Sequence, residues 1–146
     1  DKIMIQKAEK SDAPRLRELF EEFYQSDAVL HPIPPAFHEA TLDELFSARS
    51  TQRCYLLDDC GYALLSEKFS HEAGGRELWL EELYLRPAYR GNGLGHEFFK
   101  WLLSEARREG IARIRLEYEP ENTRARRLYR SLGFAPLEYG QLFWTP

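Results

Sequence analysis

Apolar residues recur along this chain with two periods, and the switches between them mark its elements. Residues 2–7 alternate apolar and polar, which predicts a short strand. Leu16, Leu19, Phe20 and Phe23 then fall at helical spacing behind Ser11 and Asp12, both good N-cap residues. Residues 31–38 read His-Pro-Ile-Pro-Pro-Ala-Phe-His, a proline-broken loop, and a second short helix is predicted over residues 42–48. Residues 54–57 and 62–69 flank the turn Asp58-Asp59-Cys60-Gly61, so they predict an antiparallel hairpin. After Ala73-Gly74-Gly75 a long strand is predicted over residues 78–85, with Glu81 and Glu82 side by side and alternation sending one to each face. Residues 93–109 form a predicted helix with Phe98, Phe99, Leu102, Leu103 and Ala106 on one face and Gly110 as its stop. Residues 111–118 read as a strand. Asn122 then caps a helix whose stripe is Ala125, Leu128, Tyr129 and Leu132, ended by Gly133. Residues 134–137 and 142–144 predict two closing strands.

The predicted order is β-α-α-β-β-β-α-β-α-β-β, an α/β fold expected to form one domain over residues 1–146. The first half reads as antiparallel. The second half holds one β-α-β unit, which is expected to be parallel and right-handed.

Composition narrows the classes. The chain is 43% hydrophobic and 30% charged, the balance of a globular protein rather than a disordered one. No apolar run approaches the ~20 residues that span a bilayer, and the first residues do not read as a secretory signal. Cys54 and Cys60 lack zinc spacing and are too few for a disulfide framework, so they are expected to be free thiols in a reducing cytoplasm. The net charge of −4 argues against nucleic acid as the main partner. Arginines nonetheless crowd the second half, among them Arg86, Arg90, Arg107, Arg108, Arg113, Arg115, Arg124, Arg126, Arg127 and Arg130, which is compatible with a local anion site. His31, His38, His71 and His96 are scattered without ligand spacing, so no metal is expected. Trp79, Trp101 and Trp144 are expected in the core or on a sheet face.

The segment Arg90-Gly91-Asn92-Gly93-Leu94-Gly95 lies between the long strand and the following helix. A helix N-terminus exposes unpaired N–H groups and a partial positive charge, and glycines let an anion approach that backbone. The pattern therefore points to a pyrophosphate. A Walker loop is absent. A dinucleotide fingerprint competes, with Glu117 or Glu119 as its ribose acid, but the glycine spacing is wrong and only one β-α-β unit exists.

Arg90 to Gly95 resembles the Arg/Gln-x-x-Gly-x-Gly/Ala signature of the GNAT superfamily of N-acetyltransferases. Leu83-Tyr84-Leu85-Arg86-Pro87-Ala88-Tyr89 resembles that family's strand and lead-in. Asn122-Thr123-Arg124-Ala125-Arg126-Arg127-Leu128-Tyr129-Arg130-Ser131-Leu132-Gly133-Phe134 resembles its Asn…Ala…Leu-Tyr-x-x-Leu-Gly-Phe segment. The resemblance implies a mixed central sheet of six to seven strands flanked by four helices. It implies acetyl-CoA as cosubstrate, with the amides of Gly91 to Gly95 on its pyrophosphate, and with Arg90, Asn92 and Leu94 in the same loop. The backbone of Leu83, Tyr84 and Leu85 would pair with the pantetheine arm, and Asn122 and Tyr129 would also touch the cofactor. Transfer to the amine would be direct.

Leu80-Glu81-Glu82-Leu83-Tyr84-Leu85 resembles the Leu-Glu-Asp segment of the diamine (polyamine) acetyltransferases, which assigns the general base to Glu81. Glu117 is the rival base, at a position some ribosomal-protein acetyltransferases use. Tyr129 is the candidate acid for the departing thiolate. The expected acceptor is a small cationic amine. A protein or peptide amine is the alternative, and a non-catalytic acetyl-CoA sensor is an alternative of another class. His31 and Phe37 of the proline-rich loop are candidate wall residues for the acceptor. No nucleic acid or membrane partner is expected, and a homodimer is compatible with the reading.

Overall fold

The computed structural model describes residues 3–146. Its core is one mixed sheet in the spatial order β1-β2-β3-β4-β5, formed by Ile5–Lys7 (β1), Gln52–Leu57 (β2), Gly61–Ser70 (β3), Gly75–Leu85 (β4) and Arg113–Leu116 (β5). The first four strands pair antiparallel and β5 lies parallel to β4. The β4-to-β5 crossover carries a helix, as a parallel connection requires.

Alternation along the strands gives the sheet two apolar faces. Ala13–Tyr24 (α1) and Pro35–Leu45 (α2) cover one. There Leu16, Leu19, Phe20, Leu42 and Leu45 pack on Cys54, Leu56, Tyr62, Leu64 and Tyr84. Leu94–Glu109 (α3) and Thr123–Ser131 (α4) cover the other. Phe98, Phe99 and Leu102 pack there on Tyr55, Leu57, Ala63, Leu65, Leu78 and Leu80, with Leu128, Tyr129 and Leu132 half-buried beside them. Each fully buried side chain of this size contributes about 1.5–3 kcal/mol, so these two layers outweigh any single surface ion pair.

Several boundaries depart from the sequence expectation; β2 and β4, for example, begin earlier, at Gln52 and Gly75. The first strand begins at Ile5; Lys2 lies outside the described residues. Asp12 occupies the N-cap of α1 without capping it. Its carboxylate instead accepts from the Glu9 N–H at 2.8 Å across a 3-10 turn, Lys10–Asp12. The second helix runs Pro35–Leu45, not 42–48, so the proline-broken loop ends by starting a helix. Pro at the first helical position loses only an N–H that has no helical partner. β5 spans Arg113–Leu116 rather than residues 111–118.

The larger correction is at the chain's end. Residues 134–146 form no strand, so the sheet has five strands and not six to seven. Pro136 has no N–H for a ladder, and Leu142, Phe143 and Trp144 are 102%, 92% and 83% exposed. Trp144 is thus neither core nor sheet face. Trp101 packs in the α3 layer, and Trp79 lies on the sheet under Arg115.

At Gly61 there is no room for a side chain between β3 and β4. A Cβ built there would stand 1.8 Å from the Tyr84 carbonyl oxygen, which is backbone and cannot rotate away. Gly61→Ala is therefore expected to cost at least about 2 kcal/mol by prying this end of β4 from β3. Urea unfolding at unchanged m is the measurement. A midpoint equal to that of the wild type would show that the strands part freely there.

Candidate active site

The apolar phase of β4 slips by one residue in its middle. Leu78 and Leu80 face α3, and so do Leu83 and Leu85, with two glutamates between the pairs. The strand register shows the cause. Leu65 pairs with Leu80 and Leu64 with Glu82, so Glu81 is an extra residue, a β-bulge. Strict alternation would send the two acids to opposite faces; the bulge puts both on the α1/α2 face. Glu82 meets Tyr24 and Tyr62 there. The Glu81 carboxylate lies 3.4 Å from Nε2 of Gln52, a residue in phase with Cys54 and Leu56. The pairing with β5 stops at the same point. Its last rung is Leu80 with Leu116, while β4 runs on to Leu85 paired with β3 alone. A one-sided strand of five residues, Glu81, Glu82, Leu83, Tyr84 and Leu85, thus leaves a gap in the ladder on its β5 side.

The glycine loop closes the far end of that strand. After the 3-10 turn Pro87–Tyr89, Gly91 and Gly93 take φ of 81° and 78°, a region that favours glycine. Gly93 is the N-cap of α3, and no side chain caps the helix there. A Cβ placed on Gly91, Gly93 or Gly95 would meet nothing within 4 Å, so the space on that side of these glycines is open. The 16 residues of α3 put a full helix dipole behind it. Arg90 is anchored at the loop's root: its Nε donates to the Leu85 carbonyl at 2.8 Å and its guanidinium stands 5.8 Å from the Tyr84 ring centre. Asn92 is exposed and Leu94 half-buried at the loop's tip. An uncapped helix start, open space and a basic root suit a pyrophosphate.

α1 supports the one-sided strand from behind. Glu22 accepts from Tyr84 Oη at 3.1 Å and from Arg86 Nε and Nη2 at 3.1 and 3.0 Å, and Glu18 joins Arg86 at 3.3 Å. Two residues on, Tyr24 Oη donates to Glu82 Oε2, and Tyr62 Oη donates to Glu82 Oε1 at 2.7 Å. Burial pushes the Glu82 carboxyl above the usual carboxylate range, and the two hydroxyl donors oppose that rise. The folded chain therefore binds this proton more tightly than the unfolded chain. The ionised carboxylate costs stability as pH rises from the unfolded value through the folded one.

The other candidates are less closely grouped. The Tyr129 ring packs between Phe99 at 5.5 Å and Tyr118 and Phe134, each at 5.8 Å. Burial raises its phenol, and among the described residues its hydroxyl has no hydrogen-bond partner. Asn122 caps α4, its Oδ1 accepting from the Ala125 N–H at 3.0 Å, which leaves its amide N–H groups free to donate. Glu117 is exposed just past β5. A cavity of about 800 Å³ follows the outer side of β5 toward residues 135–141; Glu117 and Tyr129 touch it, whereas Glu81 and the glycine loop do not. His38 is buried against Phe20 and Tyr24, whereas Phe37 and His31 are exposed. Among the described residues no three His, Cys, Asp or Glu gather into a ligand group. Sequence reasoning did not find Glu22, Tyr24 and Tyr62. Their only advance signal was the phase slip at Glu81, which marks a bulge but not what packs behind it.

Residues 13–134 match the acetyltransferase (GNAT) family. The chain is 26% identical over 146 residues to the thialysine N-epsilon-acetyltransferase of Bos taurus, covering 90% of this chain and 83% of that one. A possible acetyltransferase from Clostridium difficile 630 has a similar structure, with a TM-score of 0.82 at 18% identity over 100% of this chain and 99% of that one. An aminoglycoside N-acetyltransferase solved in complex with CoA gives a TM-score of 0.74 at 19% identity, covering 98% and 94% of the two chains. The likeness to these solved structures is one of fold.

Gly93 and Gly110 are matched probes of the loop. Both have positive φ, 78° and 73°, at opposite ends of α3, and neither has a neighbour within 4 Å of a built Cβ. Gly93→Val and Gly110→Val should each lose about 1–2 kcal/mol of stability from left-handed strain. Only Gly93→Val should weaken CoA binding, by at least about tenfold. Calorimetry on both folded variants separates a blocked loop from general strain. Equal affinities would remove the pyrophosphate from this loop.

Proposed function

Because the chain belongs to the acetyltransferase (GNAT) family, we propose that it is an acetyl-CoA-dependent N-acetyltransferase that moves the acetyl group directly to a primary amine of a small molecule. One observation carries the reading: β4 leaves β5 after Leu80, with an acid bulged out where they part and a glycine-rich helix start at the strand's end.

The residues divide the work as follows. The amides of Gly91 to Gly95 hold the pyrophosphate, with Arg90 beside them. The free edge of Leu83, Tyr84 and Leu85 pairs with the pantetheine arm as a neighbouring strand would, and the Asn122 amide donates to the same arm. Acetyl-CoA supplies the thioester acyl group. An alkylamine has a pKa near ~10.4, so at neutral pH only about one molecule in a few thousand is free base, a cost of roughly 4–5 kcal/mol. Glu81 accepts that proton, directly or through a water. Its carboxylate is exposed at the parting point and, among the described residues, is held by the long contact to Gln52 alone. The nitrogen lone pair then forms the C–N bond at the thioester carbon, the C–S bond breaks, and the nitrogen sheds its second proton to water to leave the neutral amide. Tyr129, whose hydroxyl has no hydrogen-bond partner among the described residues, gives its proton to the departing thiolate and recovers one from water.

Cationic acceptors suit the acids that line this face, Glu81 and Glu82. The names of the relatives agree with a small-molecule amine, since thialysine and aminoglycosides both carry one. The reading extends to residues 1–146 acting as one cytoplasmic domain. No described helix is long and apolar enough to cross a membrane.

A panel of alkylamines, aminoglycosides and peptides with acetyl-CoA, followed by thiol release, tests the assignment. Small amines should turn over best. Turnover of peptides alone would move the acceptor to a protein, and binding of acetyl-CoA without turnover would make the chain a sensor. On the best amine, Glu81→Gln should lose roughly 10²–10⁴ in turnover with Glu117→Gln near wild type. The opposite ranking would make Glu117 the base. Tyr129→Phe should keep stability and CoA affinity and lose at least ~10-fold in turnover when chemistry limits the rate. Equal rates would leave Tyr129 a packing residue.

A further inference from the structure

β5 is the last strand of the sheet and, among the described residues, pairs with β4 alone. Its outer edge therefore carries N–H and C=O groups without a ladder partner. Residues 134–146 form no strand against it. Tyr139 Oη donates to Glu72 at 2.7 Å, which ties that segment to the turn between β3 and β4. Both β5 and this segment line the cavity of about 800 Å³.

The cavity is strongly basic. Arg107 from α3, Arg113 and Arg115 from β5, and Arg126 and Arg130 from α4 line it, against one acid, Glu117. The whole chain carries −4, so this charge is local. Among the described residues Arg113 is the one of the five with ion pairs, to Glu77 and Glu72. Arg115 lies over the Trp79 ring, and Arg107, Arg126 and Arg130 are exposed. Arginines spread over a surface need no ligand, but these converge on one strand edge from three elements.

Alternation on β5 selects the partner. Arg113 and Arg115 stand on the face of Glu77 and Trp79. Ile114 and Leu116 stand on the α3 face and are only half-buried. A strand laid beside β5 places its side chains opposite these, face for face. Acids would meet the two arginines, and apolar residues would cover Ile114 and Leu116. Like charges directly opposite repel, so the arginines turn away a basic strand or the β5 edge of a second copy. Residues 134–146 hold one acid, Glu138, so a second copy's tail would leave the arginines unmatched. A nucleic acid would match the charge but not the edge.

We propose that the outer edge of β5 is a docking site for an extended segment of a partner protein in which acidic and apolar residues alternate. The segment adds to the sheet as a strand, with main-chain bonds giving affinity and the side-chain pattern giving selectivity. Arg107, Arg126 and Arg130 at the rim draw it in. The glycine loop and Glu81 do not touch this cavity, so docking stands apart from the acetyltransferase reading.

The test is fluorescence anisotropy of the full chain with labelled, end-capped octapeptides of alternating Glu-Val, Gln-Val and Lys-Val. A fourth peptide is Glu-Val N-methylated throughout, which keeps the charge and loses the backbone donors. Glu-Val should bind, and the other three should bind at least about tenfold more weakly. Arg115→Glu should weaken Glu-Val binding by at least about tenfold and leave CoA affinity unchanged. The double variant Arg126→Glu with Arg130→Glu changes only exposed side chains of α4, so it reports even if Arg115→Glu does not fold. It should slow association of Glu-Val, read by stopped flow, with little change in dissociation. Absence of Glu-Val binding, or equal binding of the Gln-Val, Lys-Val or N-methylated peptide, would overturn the proposal. So would Glu-Val binding that neither a folded Arg115→Glu nor the double variant alters. Tighter binding of a single-stranded DNA would replace the partner with a nucleic acid. A dimer in sedimentation that excludes Glu-Val would replace it with a second copy.

Discussion

The unpaired half of β4 is the constraint from which the rest follows. Backbone N–H and C=O groups demand partners, and a strand that keeps one neighbour and loses the other faces the gap with half its ladder. The closed half is pinned by cross-strand pairs with β5. Glu77 opposes Arg113 with an Nε–Oε2 distance of 2.5 Å, and Trp79 opposes Arg115, whose guanidinium stands 4.6 Å over the indole. Past Leu80 the described residues form no such pair. The parting is therefore written in side chains as well as in backbone.

A strand held on one edge would be free to swing, and α1 prevents this. Its last turns send Glu18 and Glu22 to Arg86, just past β4, and Glu22 and Tyr24 to Tyr84 and Glu82, alternate residues on one face of β4. Exposed ion pairs contribute little stability, but these contacts are partly shielded and sit on a strand already paired with β3. Their value is geometric. They fix where Leu83 to Leu85 lie relative to the glycine loop, with Arg90 tying that loop back to the Leu85 carbonyl. The arrangement makes the free edge rigid before any ligand meets it, and that preorganisation lowers the ordering cost of binding.

Most of this fold was legible because it rests on local periodicity. α1, α3, α4 and the β2–β3 hairpin follow from apolar spacing and from glycine stops such as Gly110 and Gly133, both at positive φ. The glycine loop was legible because a helix start and three glycines are adjacent in sequence. What failed was non-local. The apolar residues Leu142, Phe143 and Trp144 look like a strand, yet a strand exists only where a neighbour receives it, and none does here. The start of α2 was hidden by prolines that read equally well as a loop. The tyrosines behind Glu82 come from α1 and β3, 58 and 20 residues away in sequence, and no spacing rule reaches that far.

The phase slip on β4 is where sequence, fold and chemistry meet. One inserted residue does three things together. It keeps Leu83 and Leu85 in the α3 layer after the ladder to β5 ends, so the core is not broken. It adds local twist, as bulges do, at the residue where the two parallel strands part. It also brings two successive acids to one face, where an unbulged strand would have buried one of them against the phenylalanines of α3. Those neighbours are not equivalent. Glu81 protrudes as the extra residue and remains exposed, while Glu82 stays in the strand and is held by the hydroxyls of half-buried Tyr24 and buried Tyr62. Burial raises the Glu82 carboxyl and hydrogen bonding opposes the rise; bulk water surrounds its neighbour. The same residue type in successive positions thus acquires two environments from a single backbone irregularity, which is the condition for two carboxylates to take different roles in one reaction.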